Sequence, residues 1–251
     1  MVVADKYARS VWEAESMLAT WTPDRHLAVG DIVSRERNGL LRVETRLPNL
    51  VGDPLPAVTE TRGAATTLLQ SGLTVERSAD AAAPVGTARI GLSGRSSFLF
   101  SGRAATLSSF ETITSLRKHM TRLALCGDWE DEWHLVIAVQ SHAAGTVIIA
   151  ESDEVHAEIR IKGPRTVDSL AGIRAGGQVS VTSGRAATFT MARCTPFYEA
   201  LKVRRRLVAG LRVETTVLGD DSWVGTASGG PGHGFDVARV SLGETGLVAP
   251  D

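Results

Sequence analysis

Six histidines, two cysteines and one dense basic run are the side chains from which this chain could build chemistry. His26, His119, His134, His142, His156 and His233 are scattered, no two of them four residues apart, and no cysteine pair accompanies them. The ligand spacing of a zinc site is therefore missing. Cys126 falls at the end of an apolar helical stretch and Cys194 inside an alternating one, which reads as two buried, reduced thiols. In Gly91-Leu92-Ser93-Gly94 the second glycine arrives one residue early for a nucleophile elbow. Neither a phosphate-binding loop nor a dinucleotide fingerprint occurs. The run from Asp128 to Glu132 has the donor type for a hard cation, although the same composition describes a solvated turn. With nucleophile, base and metal ligands unassembled, the expectation is a protein that is not an enzyme and holds no cofactor. The sharpest charge feature is Lys202-Val203-Arg204-Arg205-Arg206, with Arg193 upstream. Lys202, Arg204, Arg205 and Arg206 are expected to lie exposed and to bind anionic lipid, where each cation near the surface contributes ~1 kcal/mol. A solvated helix face is the other reading of that run.

A formal net charge of −1 argues against bulk nucleic acid as the partner, because phosphate binding needs an excess of Lys and Arg. With 43% apolar and 22% charged residues the composition is that of a globular protein able to bury a core. Reduced cysteines and the lack of a basic segment followed by an apolar one at the N-terminus fit a cytoplasmic protein. The longest apolar runs, Leu135 to Val139 and Val147 to Ala150, are far below the ~20 residues of a membrane-spanning helix. A membrane role must use strands or surfaces.

These residues need elements to position them. Tyr7, Val11, Leu18 and Trp21 recur at helical spacing and predict a helix over residues 4–20. Residues 29–33 and 41–45 read as a hairpin turning at Asn38-Gly39. Ser108-x-x-Glu111 has the form of a capping box, followed by an apolar stripe at Phe110, Ile113, Leu116, Met120 and Leu123, with Gly127 placed to end the helix. Three strands follow at Leu135–Gln140, Thr146–Glu151 and Val155–Lys162, the last alternating strictly. Val179–Thr182 and Ala186–Cys194 predict a hairpin turning at Ser183-Gly184-Arg185, Thr195 to Val208 a basic helix, and Leu211 to Leu218 a final strand. The pattern implies an α+β fold, a large, twisted, mainly antiparallel sheet with flanking helices. Residues 1–224 would form one domain, and residues 225–251 a glycine-rich linker with a short C-terminal segment.

Trp133-His134-Leu135-Val136-Ile137-Ala138, the alternating strand after it, Gly176-Gly177-Gln178-Val179-Ser180-Val181, Phe189 and the basic tail follow one another over roughly Asp131 to Val208. In that order of elements the chain resembles the pore-forming domain of the gasdermins, including the short bacterial members. The resemblance implies a pore-forming protein of bacterial defence, held inactive by its C-terminal segment until a protease releases it to form a homo-oligomer on an anionic membrane. Val237, Val240, Leu242 and Leu247 would then be the autoinhibitory contacts. The inserting hairpins would come from Ala64 to Leu92 and from Val155 to Cys194. Their Leu73, Val75, Ile90 and Leu92, and their Val155, Ala157, Ile159 and Ile161, have the parity for lipid contact. One feature departs from the bacterial members: no cysteine precedes Cys126, so the N-terminal site of lipid modification is missing. The competing expectation is a soluble, non-enzymatic binding or assembly module.

Overall fold

A computed structural model describes residues 3–36, 40–76, 85–94, 97–162, 178–207, 223–225 and 233–239. Helix α1 (Val3–Glu15) leads through β1 (Leu18–Ala19) to the hairpin of β2 (Asp31–Arg35) and β3 (Leu41–Arg46), closed by a short helix, α2 (Leu47–Leu50). Strands β4 (Val58–Arg62), β5 (Thr66–Ser71), β6 (Leu73–Glu76), β7 (Val85–Ser93) and β8 (Phe98–Phe110) precede helix α3 (Thr114–Cys126). Then come β9 (His134–Ala150), β10 (Glu154–Lys162), β11 (Gln178–Ser183), β12 (Ala186–Met191), β13 (Cys194–Leu207), β14 (Trp223–Gly225) and β15 (His233–Arg239). Among the described residues the molecule is mostly antiparallel sheet with few helices, and the expected large sheet is present.

The spine is β9, whose 17 residues pair with β2 and β8 along one edge and with β13 and β12 along the other. Sequence alternation splits this strand in two around Ser141 to Gly145, yet the ladder to β8 runs past that stretch, with Ala144 opposite Arg103 and Gly145 opposite Gly102. The polar stretch lies within one long strand here and is not a turn. Helix α1 buries Tyr7 and Val11 as its stripe predicts, but it ends at Glu15, and Leu18 is buried as part of β1. Helix α3 buries Leu116, Met120 and Leu123 and ends at Gly127 in the left-handed conformation (φ 81°). Its start differs from the capping-box expectation. Ser108 lies in β8 opposite Glu60, and the helix begins only at Thr114, because a ladder partner satisfies the Ser108 backbone that a cap would otherwise serve.

Two further expectations are corrected. Residues 195–207 are strand, not helix: β13 is held on both edges, by β9 over Cys194–Lys202 and by β15 over Leu201–Leu207, with Leu201 and Val203 buried beneath α3. Two ladders outweigh the propensity of a Lys/Arg run for helix. Strands β11 and β12 do not pair with each other: β11 lies on β10 and β12 on β9, in different sheets. The final strand expected at Leu211–Leu218 lies outside the described residues, as does the Asn38-Gly39 turn.

The second sheet has four strands, in the order β6-β7-β10-β11. Alongside it, the corresponding part of the large sheet runs β5-β8-β9-β12. Each strand of one set continues along the chain into the strand at the same place in the other, β5 into β6, β7 into β8, β9 into β10 and β11 into β12. The two layers are one four-stranded sheet folded over on itself. Between them Ile90, Leu92, Val155 and Ala157 pack against Leu99, Ile148 and Ala150.

Candidate functional site

The fold line is built from small residues. Gly72, Gly94 and Gly184 stand at three of the four bends with φ of 63°, 91° and 78°, in the left-handed region that glycine enters without strain. A Cβ on Gly72 would lie 2.2 Å from Ser97 Oγ, and one on Gly184 would lie 2.2 Å from the Glu154 carbonyl oxygen. Backbone bonds tie each bend to the next: Ser93 N–H to Gly72 O (2.8 Å), Gly94 N–H to Asp153 O (2.6 Å) and Glu151 N–H to Arg185 O (2.8 Å). Serine side chains close the line further, with Ser97 Oγ donating to Ser93 O and Ser152 Oγ accepting from Arg185 N–H at 3.0 Å.

Register sorts the second sheet into two faces. Leu73, Val75, Ile90, Leu92, Val155, Ala157, Ile159, Ile161, Val179 and Val181 occupy one face. The other carries Thr74, Glu76, Arg89, Gly91, Glu158, Arg160, Gln178 and Ser180, with Val85 opposite Lys162 as its apolar member. Glu158 stands directly opposite Arg89 in the β7–β10 register. The expected hairpins are therefore both present, β6 with β7 and β10 with β11, and they lie side by side. The connections of these hairpins, residues 77–84 and 163–177, lie outside the described residues.

The structure distributes the basic run differently from the expectation. Strand alternation puts positions 202, 204 and 206 on one side of β13 and position 205 on the other. Lys202 and Arg204 are half-buried, not exposed, and Arg204 stands opposite Asp236 while Arg206 stands opposite Gly234. Val237 sits in β15 opposite Val203, so this part of the C-terminal segment docks as a strand on the edge of β13. Val240, Leu242 and Leu247 lie outside the described residues.

Sequence reasoning passed over one arrangement, at His142 and Cys194. They are cross-strand neighbours on β9 and β13, in the wall of a cleft of about 270 Å³ that His26, Thr106, Ser141, Arg193 and Thr195 also line. Burial pushes the His142 imidazole down to about 4 and the Cys194 thiol up to about 11. Both groups are neutral near pH 7, the reverse of the thiolate and imidazolium that a cysteine nucleophile uses. Two hydroxyls of the cleft are committed: Thr195 Oγ1 donates to Arg25 O (2.8 Å) and accepts from Leu27 N–H (2.7 Å), and Ser141 Oγ donates to Thr106 O (3.2 Å). Cys194 is buried as expected, but Cys126 is exposed just before the Gly127 cap. The acidic turn buries Trp129 and exposes Asp128, Glu130, Asp131 and Glu132. Among the described residues no three His, Cys, Asp or Glu side chains converge as a metal site would need.

No protein-family model matches the chain, and no curated protein matches it either. No helix among the described residues is long and apolar enough to cross a membrane.

Proposed function

We propose that this chain is a gasdermin-like pore-forming protein of bacterial defence, and that its folded-over sheet is the part that enters the membrane. One observation carries the reading: the strand order β5-β8-β9-β12 is repeated as β6-β7-β10-β11 by the same four runs of chain. Straightening the four bends needs no strand to change partner. It turns the layers into two long adjacent hairpins whose inner faces join as one apolar face for lipid. Helix α1 would have to leave Phe98, Phe100, Val147 and Ile149 on the opposite face, and a ring of copies would satisfy the outer edges. Strands β7 and β10 are nine residues each, close to the ~9–11 that span a bilayer. In this reading the α+β body of residues 1–224 oligomerises on anionic lipid, with Lys202, Arg204, Arg205 and Arg206 contributing. Residues 225–251 restrain it until a protease cuts, and the protein passes from the cytoplasm to the membrane. The soluble assembly-module reading draws its support from the solvent-exposed edge of β4.

The test locks the fold. Cysteines placed across the layer interface, Ala157→Cys with Ala186→Cys in a Cys126→Ser, Cys194→Ala background, tie the two layers together. After proteolysis within residues 226–232, anionic liposomes should leak only when the disulfide is reduced. Equal leakage in the oxidised form, or none from the cleaved and reduced protein, overturns the proposal.

A further inference from the structure

Strand β4 is open to solvent on both faces, from Val58 through Arg62, and among the described residues it pairs with β8 alone. Edge strands are usually blunted by shortness, charge, proline or a bulge, and the five residues of β4 carry no proline or bulge and only the opposite charges Glu60 and Arg62. The hydrogen-bond phase shows which backbone groups are free. Glu111 N–H donates to Ala57 O and Gly63 N–H to Ala105 O, both at 2.9 Å, so positions 57, 59, 61 and 63 turn their amides and carbonyls toward β8. The N–H and C=O groups of Val58, Glu60 and Arg62 consequently point outward, as a ladder unfilled among the described residues.

We propose that β4 is a self-pairing edge, through which two copies of this chain join antiparallel with Glu60 opposite Arg62 of the second copy and Thr61 at the twofold axis. Charge selects this occupant and this register. Only outward-facing positions can form the narrow hydrogen-bonded pairs, which leaves few alignments. Setting Glu60 against Glu60, or Arg62 against Arg62, places like charges directly opposite one another. Setting Val58 against Glu60 leaves Arg62 facing Pro56, which has no amide to donate. The Glu60–Arg62 register makes two ion pairs and two narrow backbone pairs at once, and it is isologous, so it closes as a dimer. Pro54 and Pro56 on one side and Gly63 on the other confine the contact to these few residues, which makes the dimer weak and salt-sensitive. This inference does not depend on the membrane reading.

Sedimentation of the full chain at low ionic strength tests it, with charge swaps at these exposed positions. The wild type should dimerise with a Kd no weaker than about 1 mM. Glu60→Arg alone places Arg against Arg and Arg62→Glu alone places Glu against Glu, and each should weaken the dimer roughly tenfold or more. Mixing the two single variants restores both ion pairs, as does the double swap, and both should dimerise like the wild type. Circular dichroism confirms that every variant is folded. A wild type that stays monomeric at about 1 mM, a dimer indifferent to the single swaps, or single variants that fail to pair when mixed would each overturn the proposal.

Discussion

His142 rests against Gly102, and its neighbour Cys194 against Gly145. Gly102 and Gly145 are opposite one another in the β8–β9 ladder, and a Cβ on Gly102 would come within 2.5 Å of His142 Nδ1, one on Gly145 within 2.9 Å of Cys194 Sγ. The imidazole then meets Phe100 and Phe197 edge-on, at centroid distances of 5.2 and 6.1 Å. Burial holds its folded-state pKa at about 4, against 6.5 for the free group. The unfolded chain therefore binds the proton first as pH falls, and stability should decline from about pH 6.5 until it levels near pH 4, by on the order of 3 kcal/mol. Urea midpoints measured across this window check the slope, and His142→Gln should flatten it. A second residue-scale expectation is that Gly102→Ala destabilises by about 1–3 kcal/mol, read from the same midpoints, because the added methyl must displace the ring. None of this was legible beforehand: a histidine among scattered histidines carries no signal, and only the strand register brings Gly102, Gly145 and Cys194 around it.

At the scale of elements, alternation was legible wherever one face of a strand is buried, as in β10 with Val155 and Ala157 inside. It failed where pairing decided the matter, in the capping box at Ser108 and in the basic strand β13. The hexapeptide Ser-Gly-Arg-Ala-Ala-Thr makes the point within one molecule. At Ser101–Thr106 it lies inside β8, while at Ser183–Thr188 it spans the bend from β11 to β12, with Gly184 at φ 78°. Local sequence permits both conformations, and the neighbouring strands choose. Gly184→Ala forces a Cβ against the Glu154 carbonyl in a left-handed conformation, so it should cost about 1–3 kcal/mol in urea denaturation. Ala187→Gly, in the following strand, tests for a general loss of β-propensity and should cost about 1 kcal/mol or less.

The repeated strand order belongs to the whole molecule, and no window of sequence contains it, since it arises from ladders between segments as distant as β7 and β10. The same holds for the C-terminal strand. A glycine-rich stretch followed by spaced valines and leucines suggested a detachable segment, yet β15 joins the large sheet between β13 and β14 and faces α3. Ending the chain after Gly225 should consequently do something specific. Strand β13 keeps its pairing with β9 over Cys194–Lys202, so the body should stay folded, whereas Val203 to Leu207 lose the strand that covers them. Amide exchange should accelerate at those positions and remain slow at Leu135 to Val139 in the spine. If the C-terminal segment restrains the protein, the same truncation should raise leakage from anionic liposomes. A newly bare edge beside Arg204 and Arg206 would then be available to another copy or to lipid headgroups. Faster exchange without leakage would leave β15 as an ordinary structural strand and remove the regulatory role. Unchanged exchange would mean that β13 does not depend on β15 at all, contrary to the ladder that joins them.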